Sequence, residues 1–91
     1  MKISVIPGDK SIVKDGEGFN MDQSPINWPS DVPSNIHAYQ YDSENSESCA
    51  IEYNDGKENT PCTLIDVQKF IDAHATEKLR MQQITEDEYN F

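Results

Sequence analysis

The chain has 91 residues, enough for one domain with a thin core, since a domain of this size buries only about two-thirds of the surface its unfolded chain exposes. Seventeen acidic residues against seven basic ones give a net charge of -10, which repels phosphate backbones and argues against nucleic acid as a partner. No stretch approaches the roughly 18 apolar residues of a membrane span, and the first residues lack the apolar run of a secretion signal, so a soluble protein that is not secreted is expected.

The charge is uneven. Residues 1–14 carry +2, residues 15–60 carry -9 and residues 61–91 carry -3, so the acidity is concentrated in the middle of the chain. At 35% hydrophobic residues the apolar supply is lean, and contacts between copies of the chain are a plausible source of further buried area.

In chain order, residues 2–6 alternate, with Ile3 and Val5 on one face and Ser4 on the other, the period of a strand with one buried side. Pro7-Gly8-Asp9 turns the chain, Ile12 and Val13 mark a second strand, Asp15-Gly16 is a tight-turn dipeptide, and Gly18-Phe19 begins a short third strand. Residues 21–35 then lose all apolar period and gain Pro25, Pro29 and Pro33, which reads as a structured loop. Trp28 within it is too large to leave in water cheaply, so the loop is expected to fold back over one end of the sheet.

Residues 36–41 alternate again, with Ile36 and Ala38 on one face and His37, Tyr39 and Tyr41 on the other. Cys49, Ile51 and Tyr53 alternate against Ala50 and Glu52. Joined by the polar residues 42–48, they read as a hairpin with an acidic tip, and residues 57–62 are expected to return as an edge strand that Pro61 confines to the margin. Thr63 and Asp66 mark the start of a helix over 64–83, with Leu64, Val67, Ile71 and Ala75 on one stripe. The stripe fades at Lys78 and Gln82, so the distal half is expected to project or to pair with another subunit, and residues 84–91 form an acidic tail.

The expected fold is therefore mainly β: a single domain over 1–83 with about five strands in a small bent sheet, or a partly open barrel of the SH3 or Sm kind, and a C-terminal helix. A two-layer α+β sheet is the alternative.

Residue patterns for chemistry are sparse. Neither His37 nor His74 sits in a nucleophile motif such as G-x-S-x-G, and both read as structural histidines, so no catalytic residue is assigned. Cys49 and Cys62, without a companion Cys or His pair at short spacing, read as two reduced thiols instead of zinc ligands. The acidic loop starting at Asp42 has Glu47 where an EF-hand requires Gly and Tyr53 where it requires Glu, so no metal is assigned. The four scattered glycines form no phosphate loop, and no cofactor is assigned either.

What stands out is an aromatic set: Tyr39, Tyr41 and Tyr53 on the hairpin, Trp28 in the loop, with His37 beside them. These five are the candidate protein interface, because Tyr and Trp bury large areas at low entropic cost, although so small a domain also needs its aromatics for its core.

Three stretches also carry a resemblance: Ile3-Ser4-Val5-Ile6-Pro7 followed by Asp9-Lys10, then Ile12-Val13 before Asp15-Gly16, then Asn35-Ile36-His37-Ala38-Tyr39-Gln40-Tyr41-Asp42 with Ile51-Glu52-Tyr53-Asn54-Asp55-Gly56. Across 1–64 the chain resembles small proteins of tailed bacteriophages, cyanophages among them, often encoded near tail genes. Members of that group usually carry Trp where this chain has Tyr41, and a shorter turn than 42–49. The resemblance implies a non-enzymatic accessory role in virion structure or assembly, in the infected host's cytoplasm or on the virion, through contacts with proteins including further copies of the chain. Two other classes follow from fold and charge: a small barrel that binds RNA or single strands through aromatics, and an acidic mimic of nucleic acid that inhibits a host protein.

Overall fold

A computed structural model describes residues 1–21 and 27–89, with side chains described through Gln83; Pro25 and the rest of 22–26, and Phe91 of the expected tail, lie outside the described residues. Five strands, β1 (Lys2–Ile6), β2 (Ser11–Lys14), β3 (Glu17–Asn20), β4 (Ile36–Asp42) and β5 (Ala50–Tyr53), precede one helix, α1 (Leu64–Tyr89). The strands form one antiparallel sheet in the order β3-β2-β1-β4-β5, open at both ends, with α1 against one face. This is the expected small sheet with a C-terminal helix.

Period-2 side-chain alternation decides which face the helix covers. Directly paired residues form an unbroken apolar row, Phe19, Ile12, Val5, Tyr39 and Ile51, one from each strand. The corresponding row on the opposite face is Gly18, Val13, Ser4, Gln40 and Ala50, small or polar except for the exposed Val13, and there Ser4 Oγ donates to the Gln40 side chain. One apolar row and one polar row leave a single face on which a helix gains by docking.

Parity on β4 departs from simple alternation. The ladder to β5 shifts between Ile36, opposite Tyr53, and Ala38, opposite Glu52, so His37 is the extra residue of a bulge. Ile36 and Tyr39, three apart, thereby share the helix-covered face, and Tyr41 lies with them opposite Ile3. This corrects the expectation that Ile36 and Ala38 oppose Tyr39 and Tyr41.

The β2–β3 turn is the two-residue Asp15-Gly16 loop between the paired residues Lys14 and Glu17, with φ of 50° and 83°. Two successive left-handed residues are what a type I′ turn requires, and their twist matches that of the flanking strands. The Asp15 carboxylate also accepts the Lys2 N–H at 2.9 Å, which ties the turn to β1 and holds this exposed acid below the usual carboxylate range. Gly16→Ala is expected to destabilise the fold by about 1 kcal/mol through left-handed strain, with no change in the helical signal of the folded protein; urea denaturation followed by circular dichroism measures this.

Helix α1 begins where Asp66 accepts both the Thr63 N–H at 2.8 Å and the Thr63 hydroxyl at 2.9 Å, satisfying a donor the helix leaves orphaned. Its buried stripe is Val67, Phe70, Ala73, His74 and Glu77, whereas Leu64 is 45% exposed and Ala75 is exposed. The expected stripe is thus rotated: Val67 holds its place and Ile71 packs at its edge, but Phe70 occupies the centre. The helix also continues past Gln83 to Tyr89, where a tail was expected. Its length of about 39 Å accounts for much of the 52 Å long axis of the molecule.

In place of the expected edge strand over 57–62 there is one bridge, Ile51 to Thr60, with hydrogen bonds of 2.7 and 3.1 Å. Pro61, which has no N–H to donate, follows immediately and ends the pairing.

Candidate functional site

The five residues of the aromatic set are not brought to one surface. Tyr39 is 4% exposed and tilted against Phe70 at 4.9 Å, so it is a core residue, and its burial pushes the phenol pKa up. Tyr41 and Tyr53 are half-buried and packed on the same core, and the Tyr53 hydroxyl is 2.9 Å from that of Thr60. His37 is exposed, because the bulge turns it away from the helix. Trp28 is half-buried with its ring 5.5 Å from Phe70, and the loop carrying it does fold over one end of the sheet.

That fold-back creates a cleft of about 260 Å3. Trp28, Val32 and Pro33 come from the loop, Pro7 and Gly8 from the β1–β2 turn, and Ile36 from the start of β4, with Ser34 and Asn54 as its polar members. Asn54 pins the loop to the β5 end: its Nδ2 donates to the Ser34 carbonyl at 3.1 Å and its N–H to the Asn35 carbonyl at 2.9 Å. The exposed acids Asp9, Asp31 and Asp55 each adjoin a lining residue in sequence. Asp55 accepts from Asn35 Nδ2 at 3.3 Å and from the Lys57 N–H at 3.2 Å, which keeps its carboxyl below the usual range and therefore ionised at neutral pH.

A second cleft, of about 410 Å3, lies between the β2–β3 hairpin and α1. Its charges are mutually paired, Lys14 with Asp15 at 3.4 Å and Lys78 with Glu17 at 3.1 Å, so no net charge faces a ligand. His74 at its base is 4% exposed, bonds the Glu17 carbonyl through Nε2 at 2.8 Å and stacks on Phe19 at 4.8 Å. The ring pins β3 to the helix, the structural role its place at the edge of the stripe implied.

Cys49 and Cys62 are both free thiols. Burial pushes Cys62 up to about 11, so it stays protonated at neutral pH and is no nucleophile. Cys49 closes the acidic hairpin loop by accepting the Asp42 N–H at 3.3 Å. The Asp42 carboxylate serves the loop backbone by accepting the Glu44 N–H at 2.9 Å, and no group of three or more His, Cys, Asp and Glu side chains among the described residues is placed to hold a metal ion.

One buried group has no counterpart in the sequence reading. Glu77 is 5% exposed, accepts Asn27 Nδ2 at 2.8 Å and Arg80 Nε at 3.0 Å, and so fastens the start of the Trp28 loop to the helix. Its sequence signal was its position seven residues beyond Phe70 on the buried stripe, with Arg80 three residues on.

Among the described residues no helix is long and apolar enough to cross a membrane. No protein family matches the chain, and neither a curated protein nor a solved structure proves similar to it, so its function has to be argued from this geometry.

Proposed function

We propose that the protein is a non-enzymatic binding module that works by contact with another protein, in the structural or assembly role within an infected cell or a virion that its resemblance to tailed-phage proteins implies. The observation that carries this reading is the Trp28 cleft. At about 260 Å3 it is smaller than the roughly 300–1,000 Å3 of pockets that enclose a whole small molecule, and it suits one or two side chains of a protein partner. A Trp held by its own core and half open to solvent is the kind of residue that dominates protein interfaces.

The partner is either a different protein or a second copy. Sedimentation velocity over a wide concentration range tests the second copy, and cross-linking of the full chain in an infected-cell lysate tests the first. A strictly monomeric protein that cross-links no protein above a charge-matched control would overturn the reading. Salt-sensitive capture confined to nucleic-acid-binding proteins would favour the acidic mimic instead.

A further inference from the structure

We propose that Cys49 and Cys62 form a redox switch: oxidation joins the two thiols in a disulfide within the chain and moves the hold of Cys49 from the acidic hairpin loop to the segment that enters α1. Strand register brings the pair together. Ile51 and Thr60 exchange both backbone hydrogen bonds, at 2.7 and 3.1 Å, as an antiparallel pair. Two residues before Ile51 is Cys49 and two after Thr60 is Cys62, so the register of that pair sets them opposite each other with their side chains on one face. Residues so opposed stand about 4.5–5.5 Å apart at Cα, within the span that a disulfide bridges.

Pro61 stops the hydrogen bonding but does not carry the chain away from the sheet. Cys62 is 4% exposed and belongs to the same core cluster as Ile51, and Cys49 packs against that cluster. The Cys62 thiol lies at the backbone of Gln40, whose partner across the ladder is Ala50, the residue after Cys49.

Both thiols are free in the reduced chain and are turned to other partners. Cys49 Sγ accepts the Asp42 N–H at 3.3 Å and donates to the Asp42 carbonyl at 3.4 Å or the Asn45 carbonyl at 3.6 Å, while Cys62 Sγ makes a long contact of 3.9 Å to the Thr63 carbonyl. Sulfur is a weak donor and acceptor, so little is given up when these contacts break. Turning Cys49 toward Cys62 releases the loop. It fastens residue 62, next to the Thr63 that starts α1, to the beginning of β5.

A small disulfide such as oxidised glutathione is the oxidant. Cys49, the half-buried thiol, attacks one of its sulfurs as the thiolate and releases one reduced glutathione; Cys62 then gives up its proton, attacks the Cys49 sulfur of the mixed disulfide and releases the second. Two protein thiols become one disulfide, and one glutathione disulfide becomes two thiols that carry the protons. Burial pushes Cys62 up to about 11, so the second exchange is slow at neutral pH and faster in mildly alkaline solution.

The test equilibrates the full folded chain, kept dilute, with mixtures of oxidised and reduced glutathione at mildly alkaline pH, then blocks free thiols with an alkylating agent and weighs the intact protein. The expected product is a monomer lighter by two hydrogens that takes up no alkylating agent and yields a peptide cross-linked between Cys49 and Cys62. Its melting midpoint should rise by on the order of 10 °C, because the bond closes the chain from residue 49 to residue 62 in the unfolded state. Cleavage after Glu44 and Glu47 by a glutamate-specific protease should accelerate severalfold on oxidation, and Cys49→Ala should show the fast cleavage without any oxidant.

Two alkylated thiols at every glutathione ratio, two glutathione adducts in place of the internal bond, or disulfide-linked dimers each overturn the proposal. A bond that forms only after the chain is unfolded in guanidinium overturns it as well, since the fold then holds the thiols apart. Loop cleavage that oxidation leaves unchanged overturns the transfer of the Cys49 contact.

Discussion

Phe70→Ala is expected to cost about 3–5 kcal/mol and to leave the chain only marginally stable at 25 °C. Phe70 is fully buried in the second turn of α1, 4.9 Å from the Tyr39 ring on the sheet and 5.5 Å from Trp28 in the loop, so three parts of the fold meet on one side chain. Truncation removes the apolar contact and leaves a cavity that the sheet cannot close, because its row from Phe19 to Ile51 is fixed by the strand ladders. Domains hold only about 5–15 kcal/mol in total, and one with so thin a core lies near the bottom of that range.

Trp28 is the sole tryptophan and therefore reports the event directly. Its emission should shift to the red in Phe70→Ala, in step with loss of the helical signal, while Phe70→Leu should cost only about 1–1.5 kcal/mol. A measured loss below about 1 kcal/mol for the alanine variant would mean that α1 is held to the sheet by something other than this ring.

Local rules made much of the fold legible and tertiary ones hid the rest. Strands β1 and β2 follow from the alternation about Ile3, Val5 and Ile12, the hairpin turn from Asp15-Gly16, and the helix start from Thr63 and Asp66, each a signal within a few residues. The bulge at His37 leaves no local mark, yet it inverts the faces of what precedes it on β4, so Ile36 joins Tyr39 on the core face although strict alternation sets the two apart.

In the sequence the apolar spacing of the helix runs from Leu64 through Val67, Ile71 and Ala75. Leu64 is nevertheless 45% exposed, and only the docked geometry gives Phe70 its rank. The candidate site divides in the same way. Trp28 was legible as a large ring in a polar loop, but the walls facing it come from residues 7, 8 and 36, which no sequence pattern groups together.

The geometry that buries Glu77 also makes stability depend on pH. Hydrogen bonding from Arg80, opposed by burial and reinforced by Asn27, holds its carboxyl below the ordinary value of 4.5. A depressed folded-state pKa means that the unfolded chain binds the proton first on acidification. The stabilisation is therefore complete above about pH 4.5 and is lost as pH falls through the folded-state value.

Glu77→Gln should lower stability by about 1–2 kcal/mol at pH 7, a figure that allows for the solvent reaching Arg80, whose side chain is 34% exposed. Below about pH 4.5 the stability curves of wild type and variant should converge, since the wild type alone loses this contribution. The difference between the two is the quantity to follow, because Asp15 and Asp55 are also depressed and titrate in both proteins. Urea denaturation at half-unit steps between pH 3 and pH 7 supplies it, and parallel curves would show that the Glu77 carboxylate carries no linkage. Because Asn27 stands next to Trp28, loss of its bond to Glu77 also frees the wall of the cleft. Glu77→Gln should thus shift the Trp emission of the folded variant to the red at pH 7, and unchanged emission would show that the loop holds its place without the carboxylate.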